Sequence, residues 1–446
     1  MMENFFVDLA AVAVVLGIMI IVHEFGHFAA AKLFDVRVEQ FAIGFGKRLF
    51  GIKHGETDYR FNALPFGGYV KMAGENPLEA HTGDPREFPS KPRWQRFIIA
   101  FAGPFANIVL AIGLLTGVFM VRYEHPVYLE QPAVVGFVAP GSPAEKAGIE
   151  QGDLIVRVDG EQNPTWEDVL LKAMLSPGHP LDISVQHGSV VTEKQIVPKA
   201  VGPSEIGEMG LIPNRQIQVG KVDDSMPAAK AGMQPGDIVA SINGKPVRSI
   251  EALLAALEAN KENPVTVGVL RNGSEMTLKI TPVLADVQGT KRYRLGFQAA
   301  EPMRSDKLPF GKAFAKSLEQ NKKNSFLIIE LVEKMVQRKV SVKQFSSPIG
   351  IAQASGEAAR QQGWTPLLQL MSAISLNLAI FNLLPFPILD GGMILFLAIE
   401  GIRRRDISLR LKERIYQLAF VLLILFAVIV IYNDLAKTIP SLQRLP

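Results

Sequence analysis

The sequence predicts a membrane protein, mainly α, in which four transmembrane helices carry two related α+β modules between the second and the third. Three observations predict this. Four apolar runs approach or exceed the length of a bilayer crossing. The 446-residue chain is nevertheless 20% charged, with most of that charge between the runs. One sequence pattern also occurs twice in the longest gap, offset by 84 residues.

The runs are Leu9 to Val22, mostly apolar onward to Phe34; Phe97 to Val121; Leu367 to Leu389, followed by Met393 to Ile399; and Ile415 to Asn433. A helix needs about 20 apolar residues to cross a hydrocarbon core of roughly 30 Å. The first run reaches that length only by including His23, Glu24 and His27. Met1 to Phe6 carries Glu3 and no Lys or Arg, so the basic start of a signal peptide is missing and the run is read as a span. Lys and Arg crowd two gaps. One lies between runs one and two (Lys32, Arg37, Lys47, Arg48 and others). The other lies between runs three and four (Arg403, Arg404, Arg405, Arg410, Lys412, Arg414). Both are expected in the cytoplasm, with the termini and residues 122–365 on the other side.

There are no cysteines. Disulfides and thiolate metal sites are excluded, and any metal must use His, Asp, Glu or backbone oxygen. The net charge is +4, without a basic cluster interleaved with aromatics. No nucleic-acid partner is expected.

The repeat begins at Ser142 and again at Met226. Each copy reads as a short helix ending at Gly148 or Gly232, a Gly-Asp turn, and a strand ending in Asp-Gly or Asn-Gly. Helices at Trp166 to Leu175 and Ile250 to Glu258, and strands at Leu181 to Gln186 and Val265 to Arg271, complete the modules. Each resembles a PDZ domain, a fold that binds peptide ends by adding a strand to a sheet edge. Val134 to Val138 and Gln218 to Val222 are expected to border such grooves. Whether the modules hold ligands or act as spacers stays open. Farther on, Phe310, Phe314 and Leu318 recur every four residues, with Ile328, Leu331, Val332 and Met335 at helical spacing. Such a helix either lies on the membrane surface or packs against the module pair.

The chemistry lies in His23-Glu24-Phe25-Gly26-His27. On a helix, positions i and i+4 share a face, so both imidazoles reach one metal ion. Glu24 is placed to take a proton from a zinc-bound water, whose pKa falls to about 7. A buried ionisable group costs on the order of 2.5–3.5 kcal/mol at mid-bilayer, so such residues are functional candidates. A catalytic zinc takes three protein ligands and keeps a position open. The acidic residue in the third run is Asp390, in Asn382-Leu-Leu-Pro-Phe-Pro-Ile-Leu-Asp390-Gly-Gly392. Pro385 and Pro387 break the helix there. Asp390 is read as the third ligand in preference to a cap for a helix starting at Met393. From Phe5 to His23 is about 27 Å of helix, so both halves of the site lie toward the cytoplasmic face.

The H-E-x-x-H of the first span, the Leu389-Asp-Gly391 of a late one and the tandem modules resemble the site-2 protease family of intramembrane metalloproteases, nearly end to end. The resemblance implies zinc on His23, His27 and Asp390, with Glu24 as general acid/base. It implies a role for Asn382 in holding substrate. It makes residues 38–72, with Gly44-Phe-Gly46 and Pro65-Phe-Gly-Gly68, a membrane-dipping β-hairpin that clamps unwound substrate as an added strand. It implies a bacterial inner-membrane enzyme with periplasmic modules. Its partners would be the lipid bilayer and pre-trimmed single-span proteins, among them an anti-sigma factor of envelope stress and signal peptide remnants.

The expected organisation follows. The first helix takes 1–36, the hairpin region 37–96 and the second helix 97–122. The PDZ-like modules take 127–215 and 216–300, and an amphipathic linker 301–365. The broken third helix takes 366–402, a basic loop 403–414, and the fourth helix with its tail 415–446. Rival readings are a non-catalytic PDZ scaffold, a metal transporter, and a cytoplasmic zincin drawing its third ligand from Glu39, His54 or Glu56. The Ala102-Gly-Pro-Phe-Ala-Asn107 stretch reads as small residues for helix packing.

Overall fold

The computed structural model describes residues 2–75, 82–287, 290–300, 303–344, 347–361 and 363–438. Helix α1 (Met2–Leu33) is followed by the strands β1 (Val38–His54) and β2 (Thr57–Met72) and by α2 (Arg93–Val121). The first module contains β3 (Val135–Val138), β4 (Leu154–Val158), α3 (Trp166–Met174), β5 (Leu181–His187), β6 (Val190–Ile196) and β7 (Leu211–Pro213). The second contains β8 (Ile217–Val222), β9 (Ile238–Ile242), α4 (Ile250–Asn260), β10 (Val265–Arg271), β11 (Ser274–Ile280) and β12 (Phe297–Ala300). Then come α5 (Phe310–Val336), α6 (Pro348–Arg360), α7 (Thr365–Leu383), α8 (Asp390–Arg403) and α9 (Leu409–Thr438). Two compact units result. One holds Met1–Tyr123, Lys307–Glu333 and Phe345–Pro446; the other holds Glu124–Asp306 and Lys334–Gln344.

Among the described residues of the first unit, four helices are long and apolar enough to cross a membrane, over Phe6–Leu33, Arg93–Val121, Thr365–Leu383 and Leu409–Leu435. Helices α1 and α2 touch backbone to backbone: a Cβ on Gly26 would stand 2.3 Å from the Ala102 carbonyl oxygen. Hydroxyls join α2 to α7, Ser372 donating to the Ala111 carbonyl and Ser375 to the Asn107 carbonyl, both at 2.8 Å. In an apolar surround such bonds and small residues replace the hydrophobic effect as the source of helix association. The hairpin base packs against this pair through Val38, Val70, Met72, Ala31 and Ile99, and Phe28 of α1 meets Phe41 and Tyr59 edge-on.

The third span is broken as the prolines require. Between α7 and α8, the Phe386 amide donates to the Leu384 carbonyl and the Leu389 amide to the Phe386 carbonyl. Peptide groups that cannot reach water must be satisfied internally. This tight fold-back leaves no room for side chains: a Cβ on Gly391 would lie 2.3 Å from the carbonyl oxygens of Leu383 and Leu384, and one on Gly392 equally close to that of Phe386.

Helix α5 answers to neither expected placement alone. In the first unit its small polar face, Ala313, Ser317 and Asn321, is the buried one. Ser317 donates to the Ile112 carbonyl of α2 at 2.9 Å. The Phe310–Phe314–Leu318 stripe faces outward. A hydroxyl that finds a carbonyl inside an apolar bundle outweighs aromatic area that lipid solvates equally well.

The inserted modules repeat residue for residue. Strands β4, β5 and β6 return 84 positions later as β9, β10 and β11, and α3 returns as α4. Their cores centre on Trp166, Ile155 and Ile183 in one and on Val239, Val267 and Leu257 in the other. One expectation is corrected. Strand β8 is hydrogen-bonded on both sides, by β9 and by β12, so it offers no free edge. The end strand of that sheet is β12. The strand that follows the antiparallel pair Val283–Val287 and Thr290–Arg294 adds outside β8 and takes the end position.

A buried aspartate anchors the Gly-Asp turn of each module, but its partner changes. In the first, Asp153 accepts from the Glu150 amide and pairs with His187 Nδ1 at 2.6 Å. In the second, Asp237 accepts from the Gln234 amide and from Arg271 Nε and Nη2 at 2.7 and 2.8 Å. The hydrogen bond to Asp153 raises His187 above its ordinary value, while Arg271 stays charged throughout. A raised folded-state histidine stabilises fully below the unfolded value near 6.5, and that contribution fades as pH climbs through the raised one. Amide exchange in the full-length protein should therefore speed up at residues 148–153 on going from pH 6 to pH 9, beyond the intrinsic chemical trend. Residues 232–237 should not follow, and His187→Arg should abolish the difference. Equal responses in both turns would refute this.

Candidate active site

Helix α1 supplies three groups within five residues. Its 3.6-residue repeat stacks His23 and His27 on one face. Their rings stand at 81° with Nε2 atoms 3.2 Å apart. Asp390 is the first residue of α8. Its carboxylate points at the histidines, Oδ2 lying 3.1 Å from His23 Nε2 and Oδ1 3.5 Å from His27 Nε2. Zinc bonds of 2.0–2.1 Å at tetrahedral angles set ligand atoms roughly 3.3 Å apart, and the three observed separations bracket that value. Asp390 Oδ2 is also buried without a hydrogen-bond partner among the described residues. A carboxylate shut into an apolar bundle is strongly disfavoured unless its charge is met, and a cation at the common centre of the three groups would meet it. The donor set therefore fits a zinc ion.

Helix α2 orients the rings. The Ile99 carbonyl faces His27 Nδ1 at 2.8 Å. A carbonyl can only accept, so the proton sits on Nδ1 and the Nε2 lone pair faces the cluster. Gly103 makes the space for this ring, since a Cβ there would lie 2.3 Å from His27 Nε2. Asn107 Nδ2 stands 3.3 Å from His23 Nδ1. From the end of α7, Asn382 Nδ2 stands 3.4 Å from His23 Nε2.

Glu24 lines a cavity of about 230 Å³ together with His23, His27, Asp390, Tyr69 and Glu75. Strand β2 roofs it: a Cβ on Gly68 would lie 3.4 Å from Glu24 Cγ. Glu75, just past the hairpin, accepts from the Met72 amide at 3.1 Å, and burial pushes its carboxyl up to about 7. The structure thus brings together all five residues singled out in the sequence. Of the rival ligands, Glu56 is engaged by Lys32 and Arg86 and Glu39 by Lys71; neither belongs to the cluster. Sequence reading missed Gly103, Asn107 and Glu75. An asparagine inside an apolar span was a usable signal; the glycine's partner and the burial of Glu75 were not readable locally.

The description "Peptidase family M50" matches residues 11–426. The chain belongs to peptidase family M50. Membership in family M50 makes it a metalloprotease, and four apolar helices place it among the intramembrane ones. It is similar to the regulator of sigma-E protease RseP of Salmonella typhimurium, 31% identical over 465 residues, covering 96% of this chain and 98% of that protein. Protease RseP of Yersinia pestis is 33% identical over 459 residues, with the same coverage. RseP of Escherichia coli is 31% identical over 466 residues, covering 98% of this chain and all of its own. Among solved structures, a PDZ domain from Listeria monocytogenes matches 20% of this chain and 90% of its own at 19% identity and a TM-score of 0.18.

The steric argument at Gly103 gives a direct test. Gly103→Ala should displace the His27 ring and lower turnover of a single-span reporter in liposomes about 10–100-fold, while thermal melting stays near that of the unaltered protein. The size follows from effects of disturbing the groups around metal ligands. Near-normal turnover would show that the ring has room to spare.

Proposed function

We propose that the chain is a zinc endopeptidase of the bacterial inner membrane that cuts the transmembrane segments of single-span proteins already trimmed by another protease. The observation that carries this reading is the meeting of His23, His27 and Asp390 at tetrahedral spacing beside Glu24. In this reading His23, His27 and Asp390 hold the zinc. A zinc ion so held acts as a Lewis acid and brings the pKa of water near 7. Glu24, too far around the helix to join the ligands, takes a proton at its carboxylate and returns it to the leaving amine. Asn382 holds the substrate backbone near the cluster.

The hairpin supports the remainder of the reading. Phe45, Leu49, Phe50 and Ile52 of β1 are exposed, and such a surface suits lipid or an apolar segment. A peptide bond within a helix is shielded from attack, so substrate must be drawn out, and an extended segment adds to a free strand edge. The PDZ-like modules would face the periplasm and exclude bulky, untrimmed substrates. The second also carries a groove of about 220 Å³ between α4 and β12, lined by Leu253, Leu257 and Phe297, which suits a peptide end beside the free edge of β12. An anti-sigma factor of envelope stress and signal peptide remnants, as the resemblance to the site-2 protease family implies, are the substrates we infer.

The test compares zinc content and reporter cleavage in three proteins. Glu24→Gln should keep its zinc and lose cleavage by about 10²–10⁴-fold, the usual worth of a general base. Asp390→Asn should lose zinc and activity together. Cleavage unchanged by Glu24→Gln would favour a non-catalytic PDZ scaffold instead.

A further inference from the structure

Asn107 is fully buried in α2, with its side-chain amide against His23 Nδ1 at 3.3 Å. The other ring nitrogen, Nε2, faces His27 and Asp390. A neutral imidazole carries one proton. If Nε2 is to offer a lone pair to a metal, the proton belongs on Nδ1, and Nδ1–H needs an acceptor. For His27 that acceptor is the Ile99 carbonyl. For His23, the group standing opposite is the Asn107 amide.

Two observations decide which end of that amide faces the ring. With Nδ2 toward His23, Nδ1 would have to accept and the proton would move to Nε2, into the ligand cluster; that orientation also leaves Asn107 Oδ1 buried without a donor among the described residues. The two ends of a carboxamide exchange by a half-turn with no change of shape. We propose that Asn107 Oδ1 accepts a hydrogen bond from His23 Nδ1–H and thereby fixes the tautomer that presents Nε2 to the metal. Asn107 is then a positioning residue for the metal site, beyond the helix-packing role its sequence context suggested. The inference rests on the zinc reading above.

The test measures zinc affinity by chelator competition on the full-length protein in detergent, with cobalt absorption as a second readout. Asn107→Leu keeps the bulk and removes the acceptor; affinity should fall about 10–100-fold, the range for lost groups that orient a ligand. Asn107→Asp keeps an acceptor and should bind zinc at least as well as the unaltered protein. If Asn107→Leu does not fold by thermal melting, Asn107→Ala is read in its place. Affinity kept in the acceptor-free variant overturns the proposal. So does equal loss in the Asp and Leu variants, which would mark a demand for shape alone. If Asp390→Asn also keeps its zinc, the metal reading itself fails; if Asp390→Asn loses zinc while Asn107→Leu retains it, only this inference fails.

Discussion

Three side-chain heads from two helices converge within ligand distance in a bundle that offers them little water, and much of the surrounding structure is shaped by that convergence. His23 and His27 come from one helix face, so their mutual geometry is nearly automatic. Asp390 arrives from a helix more than 360 positions away in sequence. Bringing it in requires helices to approach without intervening side chains. Gly26 and Gly103 let α1 and α2 close up. Ser372 and Ser375 fasten α7 to α2 by hydroxyl-to-carbonyl bonds. The proline break then turns the chain so that α8 begins with its carboxylate facing the histidines.

The same constraint explains where polar groups were placed. Both histidines have a polar neighbour on α2, because desolvation without one is costly at any depth in an apolar medium. His27 leans on a carbonyl and His23 on a carboxamide. Glu75 sits at the edge of the cavity with its carboxyl pushed up by burial. The fold-back between α7 and α8 satisfies amides locally, which permits irregular backbone in a segment of apolar composition.

Much of this was legible in the sequence. Periodicity and length gave the four spans, and the 84-residue repeat gave two modules whose elements fall within one or two residues of expectation. The H-E-x-x-H and the aspartate of the third run pointed to the three groups that cluster, His23, His27 and Asp390, since a buried charge must meet a partner. What escaped was information held in three dimensions. Gly103 is an ordinary small residue until the His27 ring is placed beside it. The free edge in the second module belongs to β12, not β8, because a later strand returns to cover the earlier one. The apolar stripe of helix α5 left open a seat on the membrane surface or against the modules; Ser317, one inconspicuous hydroxyl, packs the other face on α2. Amphipathicity ranks faces by affinity for water, and it loses its meaning where the outside solvent is oil.

Two of the three clustered ligand groups share one rigid cylinder with Glu24, while the third rides on a helix that starts after a flexure. A small slide of α8 along α1 would therefore alter a single corner of the triangle and leave the histidines and the carboxylate between them in fixed relation. Any mechanical strain reaching the broken span is concentrated at one oxygen-bearing side chain. In the proposed zinc site the relation of Glu24 to the two histidines is thus inherited from the helix itself, and only the place of Asp390 depends on how the bundle packs.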